Sequence, residues 1–269
     1  MLSLPGTIPR IIAMGFLHDI NLLYVVSGFM VGFLVGLTGV GGGSLMTPIL
    51  ILIFGVQPVA AVGTDLLYAC ITKTGGSFVH AYHKSVDWTV VGRLALGSIP
   101  TTILTILLLH YLDIQSAGAN IFIAKMVGVA LMLTALSLIF RKPLLDFYNR
   151  RVGTPMPELT RNLTIATGAL LGFLVSLSSV AVAPILLYPN LPIVRIVGSD
   201  IAHAVPLTLI AGAGHLFLGG VDLAILGSLL LGSLPGIAIA SNVAPRAPEH
   251  VLRYVLASVL ILVSIKLLF

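Results

Sequence analysis

Apolar runs of roughly 20 residues recur along almost the whole chain, and each is long enough to cross a hydrocarbon layer about 30 Å thick. Inside lipid a backbone must satisfy its own hydrogen bonds. Continuous apolar runs do so as helices, because barrel strands alternate. With 58% of residues apolar and 9% charged, the chain reads as an all-α polytopic membrane protein and not as a soluble domain. Its net charge of +5 is no nucleic-acid footprint, because the basic residues lie between the runs, where they set topology.

Runs and breakers place spans near 22–38, 59–82, 89–112 and 119–140, with a short segment near 46–56. The order then recurs: 163–180, a short 181–189, 193–218, 221–243 and 251–268. Residues 1–21 carry Arg10 but no clean charged region, apolar core and cleavage site, so they read as an interfacial lead-in rather than a removed signal. Between repeat 1 (22–140) and repeat 2 (163–269) lies the polar stretch 141–162, with five of the fourteen basic residues and three prolines. The positive-inside rule makes this linker cytoplasmic. Cys70, the single cysteine, excludes a disulfide framework or a multi-thiolate site.

The second half repeats the first residue by residue. Gly28, Gly32 and Phe33-Leu34-Val35 meet Gly168, Gly172 and Phe173-Leu174-Val175 at an offset of 140. At an offset of 135, Val62-Gly63-Thr64-Asp65 meets Val197-Gly198-Ser199-Asp200, His80 meets His215, and Val86-Asp87 meets Val221-Asp222. From Val62 to Pro100 there are 13 identities in 39 ungapped positions. Shared greasiness would not put Asp, His, Gly and Pro in register.

Five segments per copy is an odd number, so if the short ones cross the membrane the second copy is inverted. The charges agree. Lys84 and Arg93 flank a first-copy loop whose counterpart at 219–227 has no basic residue, whereas Arg195, Arg246 and Arg253 precede second-copy spans whose counterparts have none. The expectation is about ten transmembrane segments, two of them short, as two inverted five-segment repeats with both termini external.

Gly36-Leu-Thr-Gly-Val-Gly-Gly-Gly-Ser-Leu-Met-Thr-Pro48 joins a long span to a short one. Glycines there let the helix break and turn backbone N–H groups and a helix N-terminus toward an anion. No Walker lysine follows, and close helix packing through small residues is the plainer alternative. The second copy, Val175-Ser-Leu-Ser-Ser-Val-Ala-Val-Ala-Pro184, lacks the glycines, leaving Ser178 and Ser179 as hydroxyl donors.

These motifs, with Ala61-Val-Gly-Thr64, Val86-Asp87-Trp88 and the glycine–proline pattern of the fourth span, resemble the TauE/SafE sulfite exporters, the TSUP transmembrane permeases. The resemblance covers nearly the whole chain, internal duplication included. It implies secondary transport of small sulfur-containing anions, such as sulfite or organosulfonates, across the bacterial plasma membrane. The chain departs from the pattern in lacking the second glycine cluster and in placing Asp65 and Asp200 where a small polar residue is usual.

An ionisable residue within a span is costly and faces a cavity or a partner. Asp65 and Asp200 each lie two turns into a third span, and inverted symmetry is expected to gather them around one cavity. Lys73, too deep to snorkel, is the candidate anion contact, and eight residues of separation from Asp65 exclude direct pairing. The expected substrate site is Gly39, Gly41, Gly42, Gly43, Ser44, Thr64, Lys73, Ser178, Ser179 and Ser199. Asp65, Asp200 and His203, which shares a helical face with Asp200, are expected to exchange protons, or Na+ in their place. No cofactor or metal site is implied, and a homo-oligomer is left open. A passive anion channel would use the same pore without a titrating pair. An intramembrane enzyme finds neither a nucleophile elbow nor an HExxH motif.

Overall fold

The computed structural model describes residues 21–38, 43–111, 116–151, 157–180, 191–243 and 249–269. Nine helices lie among them: α1 (Leu22–Thr38), α2 (Gly43–Leu52), α3 (Pro58–Tyr82), α4 (Trp88–Tyr111), α5 (Ala117–Arg151), α6 (Pro157–Ser178), α7 (Ile193–Phe217), α8 (Leu223–Val243) and α9 (Glu249–Leu268). Stretches in α4 through α8 are long and apolar enough to cross a membrane, and α1 and α9 contain shorter apolar stretches. The protein is therefore a multi-pass membrane protein. α3, with Asp65 and Lys73 in its interior, is conspicuously less apolar than α1 or α8.

The first short segment forms α2, three residues earlier than its apolar run suggests, because Gly43 and Ser44 already belong to the helix. The expected lead-in and the segment 181–189 lie outside the described residues but for Asn21. The polar stretch 141–162 is not a loop throughout, since α5 continues to Arg151 and α6 begins at Pro157. Charge ends a span at the membrane surface, but it does not end a helix.

Pairing between the halves is reciprocal. α1 packs along α8 and, in the same register, α6 packs along α4. Gly28 and Gly32 lie against the backbone of Leu229 and Ser233, and their counterparts Gly168 and Gly172 lie against Leu94 and Ser98. Both pairs run parallel, because residue numbers rise together. α3 and α7, counterparts of each other, instead run antiparallel: Gly212 faces Leu67 and Gly76 faces Ile201. α4 runs parallel to α7, with Ser98 at His203 and Ile106 at Gly214. Small residues permit these approaches where no hydrophobic drive separates protein from lipid.

The turns match as well. Asp87 Oδ1 accepts from the N–H groups of Thr89 and Val90 to cap α4, and Asp222 Oδ1 accepts from Ala224 and Ile225 to cap α8. The Asp87 N–H donates to Ser199 Oγ at 2.8 Å, and the Asp222 N–H donates to Thr64 Oγ1 at 3.0 Å. A side chain on Gly63 would collide with the carbonyl of Gly220, and one on Gly198 with that of Ser85.

Burial differs from that of a water-soluble protein in two ways, apolar side chains covering the outside and polar ones lying within. Met46, Leu50, Leu66, Tyr68, Leu131, Leu177, Leu229 and Leu260 pack an ordinary core, and Leu104, Leu231 and Leu262 stay exposed outside. Asp65, His203 and His215 are buried together with many serines and threonines. Several of these hydroxyls bond back to their own helix, as Thr134 does to Ala130 and Thr208 to Ala204.

Candidate functional site

Asp65, two turns into α3, has no exposed surface. Its Oδ2 receives the Thr47 hydroxyl at 2.6 Å, the Ser179 hydroxyl at 2.6 Å and the Thr47 N–H at 3.2 Å. Thr47 Oγ1 and Ser179 Oγ also stand 2.7 Å apart. Thr47 belongs to α2, and Ser179 follows directly on α6, so one carboxyl joins three elements from both halves. Pro48, inside the short α2, comes right after Thr47.

Ser179 closes α6 with φ at +58°, in the left-handed region that glycine prefers, and its N–H donates to Val175 O at 2.8 Å. For a residue with a Cβ this conformation costs about 1–2 kcal/mol. The hydroxyl on Asp65 accounts for a serine there. Ser178, also buried, donates to Leu174 O and accepts from the Val180 N–H, finishing the same helix end.

Asp200 occupies the corresponding place on α7 but is only half-buried, and among the described residues it makes no hydrogen bond. Lys73, half-buried and also without a direct partner, lies within electrostatic reach of Asp200 and Asp65, with Asp200 the stronger interaction, and of His203. Expected as neighbours in one cavity, the two carboxyls stand apart. The antiparallel crossing sets Asp200 level with Ser77, which is 12 residues beyond Asp65, or about 18 Å of helical rise. Lys73 lies between them along α3. Sequence equivalence relates the two aspartates, but a crossing at mid-helix sends equivalent off-centre residues to opposite sides.

His203 is buried, with Nε2 at 2.8 Å from Ser98 Oγ. The matching positions in the other half hold Tyr68 and Ser233, both buried. His215 Nε2 donates to Ser176 O at 2.8 Å. Thr64 and Ser199 are fully buried, their oxygens holding the turn N–H groups of the opposite half. Gly39, Gly41 and Gly42 lie outside the described residues, and Gly43 and Ser44 open α2. The structure thus brings Asp65 to Ser179, and Lys73 to Asp200 and His203. It keeps Thr64 and Ser199 in the scaffold.

Thr47 and Ser98 were not singled out from sequence. A threonine before proline in an apolar run carries no chemical signal of its own, and the Ser98 partner lies 105 positions away. The duplication held one hint, since Thr47 aligns with Ala183 and only Asp65 has a hydroxyl available at that position.

Chemically, the arrangement offers two unlike ends. One is a buried carboxyl whose Oδ2 takes three hydrogen bonds. The other is an accessible cation beside an unpartnered carboxyl, suited to exchanging an anion.

The family model described as sulfite exporter TauE/SafE matches residues 24–267. The chain is 40% identical over 255 residues to the probable membrane transporter protein YjnA of Bacillus subtilis, covering 91% of this chain and 98% of that one. It is 25% identical over 241 residues to the probable membrane transporter protein YdhB of the same organism, covering 86% and 94%. With the probable membrane transporter protein MJ0441 of Methanocaldococcus jannaschii it shares 28% identity over 200 residues, 71% and 70% of the two chains. No solved structure matches it significantly.

Proposed function

Since the chain belongs to the sulfite exporter TauE/SafE family of membrane transporters, we propose that it is a proton-coupled secondary transporter of a small sulfur-containing anion, such as sulfite or an organosulfonate. It works in the bacterial plasma membrane, with its basic linker cytoplasmic, both termini external and no enzymatic step. The observation that carries this reading is Lys73: a half-buried cation midway along a span and free of a direct ion pair among the described residues. Within a bilayer such a group marks a substrate pathway.

Helix directions support ten crossings in two inverted repeats. A parallel α1–α8 pair and an antiparallel α3–α7 pair are the directions expected of an inverted duplication. The substrate then lies at the α3–α7 crossing. Lys73 supplies charge, and the Gly39, Gly41, Gly42, Gly43 and Ser44 backbone at the head of α2 supplies N–H donors. Ser178 and Ser179 border the site from the broken end of α6, and Thr64 and Ser199 hold the turns around it. Asp65, Asp200 and His203 exchange protons as the anion moves. A neutral carboxyl tolerates a nearby anion, whereas an ionised one repels it.

Uptake into proteoliposomes of sulfite, sulfate, thiosulfate and short sulfonates, under imposed pH and Na+ gradients, tests the reading. Accumulation of a sulfur anion driven by the pH gradient and lost in Lys73→Met is expected. Movement of none of these anions would refute the substrate class, and flux indifferent to both gradients would make the protein a channel.

A further inference from the structure

Asp65 Oδ2, Thr47 Oγ1 and Ser179 Oγ form a closed triangle with edges of 2.6, 2.6 and 2.7 Å. Each edge is at O–H···O hydrogen-bond length, and each such bond needs one hydrogen. Two hydroxyls supply two hydrogens. Any further contact of Ser179 can only draw a hydrogen out of the triangle and never add one, so the hydroxyls supply two edges at most. The third hydrogen has one remaining home, the carboxyl.

We propose that Asp65 holds a proton in this conformation, closing a three-membered ring of hydrogen bonds, and that this proton is the coupling ion of the transport cycle. The coupling role rests on the proton-coupled reading above; the ring does not. Within the ring Asp65 donates to one hydroxyl, that hydroxyl donates to the other, and the second returns its hydrogen to Oδ2. The Thr47 N–H adds a longer bond to the same oxygen.

Two further observations agree. Asp65 Oδ1 is buried and has no partner among the described residues, which a neutral carboxyl's carbonyl oxygen bears at far smaller cost than a carboxylate's. Nor is there room for a metal cation among the three oxygens. Even Mg2+, with ligands at about 2.0–2.1 Å in octahedral array, holds neighbouring oxygens about 2.9 Å apart, and larger cations hold them farther.

Among the charged and titratable groups around the ring, Lys73 lies within electrostatic reach of Asp65. On α3 these are Tyr68 and Lys73, neither hydrogen-bonded to Asp65. α7 brings Asp200, His203 and His215, the two histidines bonded to Ser98 and Ser176. α2 and α8 carry no titratable side chain, and α6 carries Glu158 and Arg161 in its first turns, at the end away from Ser179. α5 has an exposed Lys125 and a charged C-terminal stretch.

When the carboxyl O–H bond breaks and its proton leaves to water, one edge loses its hydrogen and two oxygens under 2.8 Å apart repel. The ring then opens. Since it fastens α2 of one half to the end of α6 of the other through α3, proton release unlatches these elements beside the proposed substrate path.

Infrared difference spectra between acid and alkaline pH, on protein in lipid nanodiscs without substrate, test this directly. The expected result is a protonated-carboxyl C=O band that disappears in Asp65→Asn and survives in Asp200→Asn. A band that persists in Asp65→Asn, or no such band in the wild type, overturns the proposal. Should Asp65→Asn fail to fold, Thr47→Val and Ser179→Ala keep the carboxyl and each removes one edge. Both must displace the band in frequency while Thr208→Val does not, and an unmoved band overturns the ring. pH-driven accumulation that survives in Asp65→Asn removes the coupling role. If no sulfur anion is transported but the band behaves as stated, the functional reading fails and the ring stands.

Discussion

Asp65 and Asp200 are counterparts in a duplicated chain, yet their surroundings have little in common. Around Asp65, Thr47 and Ser179 direct three donors at one oxygen. The positions that align with those two residues are Ala183 and Gly39, which carry no hydroxyl. Asp200 instead has Lys73 near it, and the residue aligned with Lys73 is Thr208, bonded to its own helix. The contacts that remained alike are those to backbone: Gly63 and Gly198 under a carbonyl, Thr64 and Ser199 under a turn N–H, Asp87 and Asp222 on a helix end. Backbone geometry is the same in both copies and admits few residue types. Contacts between side chains are bound by no such template, so chemistry diverged there while the frame was kept.

Exchanging the unlike residues would break this comparison most forcefully. Lys73→Thr combined with Thr208→Lys moves the cation to the symmetric place. If the halves were chemically equivalent, transport would survive; because Asp65 Oδ2 already takes three hydrogen bonds from the protein, uptake of a sulfur anion should instead fall below detection. Losing a charge contact of this kind costs about 2–5 kcal/mol in binding, and titration of the purified protein with sulfite reads it.

Stability separates the two aspartates next. Asp65→Asn leaves buried donors short of an acceptor or an acceptor short of a hydrogen, at a cost of about 1–3 kcal/mol. Asp200→Asn should change unfolding by about 0.5 kcal/mol or less. Equal losses in thermal unfolding of the two variants in detergent would abolish the distinction.

Ser179 sharpens the comparison by separating hydroxyl from backbone. Ser179→Ala loses a hydrogen bond worth about 1 kcal/mol and keeps the strained φ. Ser179→Gly loses the same bond and relieves the strain, so it should unfold about 1 kcal/mol less readily than the alanine variant. Identical melting of the pair would show that the left-handed turn stores nothing.

The smallest effect concerns Lys84, which has φ at +53° where its counterpart Gly219 has +71°. Lys84→Gly should change stability by only about 0.5–1 kcal/mol, raising it where strain relief exceeds the greater freedom of the unfolded chain. A loss beyond 1 kcal/mol would mean that the lysine does more than mark the charged side of the membrane.

How much of the site was legible in advance follows the same division. Asp65, Asp200 and Lys73 stand out because a charge within an apolar run is costly wherever the run goes. Ser178 and Ser179 were found through the missing glycines, and Ser179 proved to touch Asp65. Thr47 is not marked by sequence because its partners Asp65 and Ser179 lie on other elements, 18 and 132 residues away, and nothing local distinguishes it from an ordinary helix threonine. The expected meeting of Asp65 with Asp200 failed for another reason: alignment states which residues correspond, not where the two helices cross.

By itself, then, the amino-acid order determined a helical membrane protein made of two related halves, since hydrocarbon imposes span length and internal hydrogen bonding on any chain that enters it. It also determined which residues would be expensive there. Only the tertiary structure decided their partners. An antiparallel crossing of α3 and α7 set the two carboxyls apart, and the meeting of Thr47 on α2 with Ser179, just past α6, enclosed Asp65 with two hydroxyls. The contacts of Ser179 and those across the α3–α7 crossing join residues more than a hundred positions apart, and even the Thr47–Asp65 bond joins two separate helices, so this geometry exists only once the helices have packed.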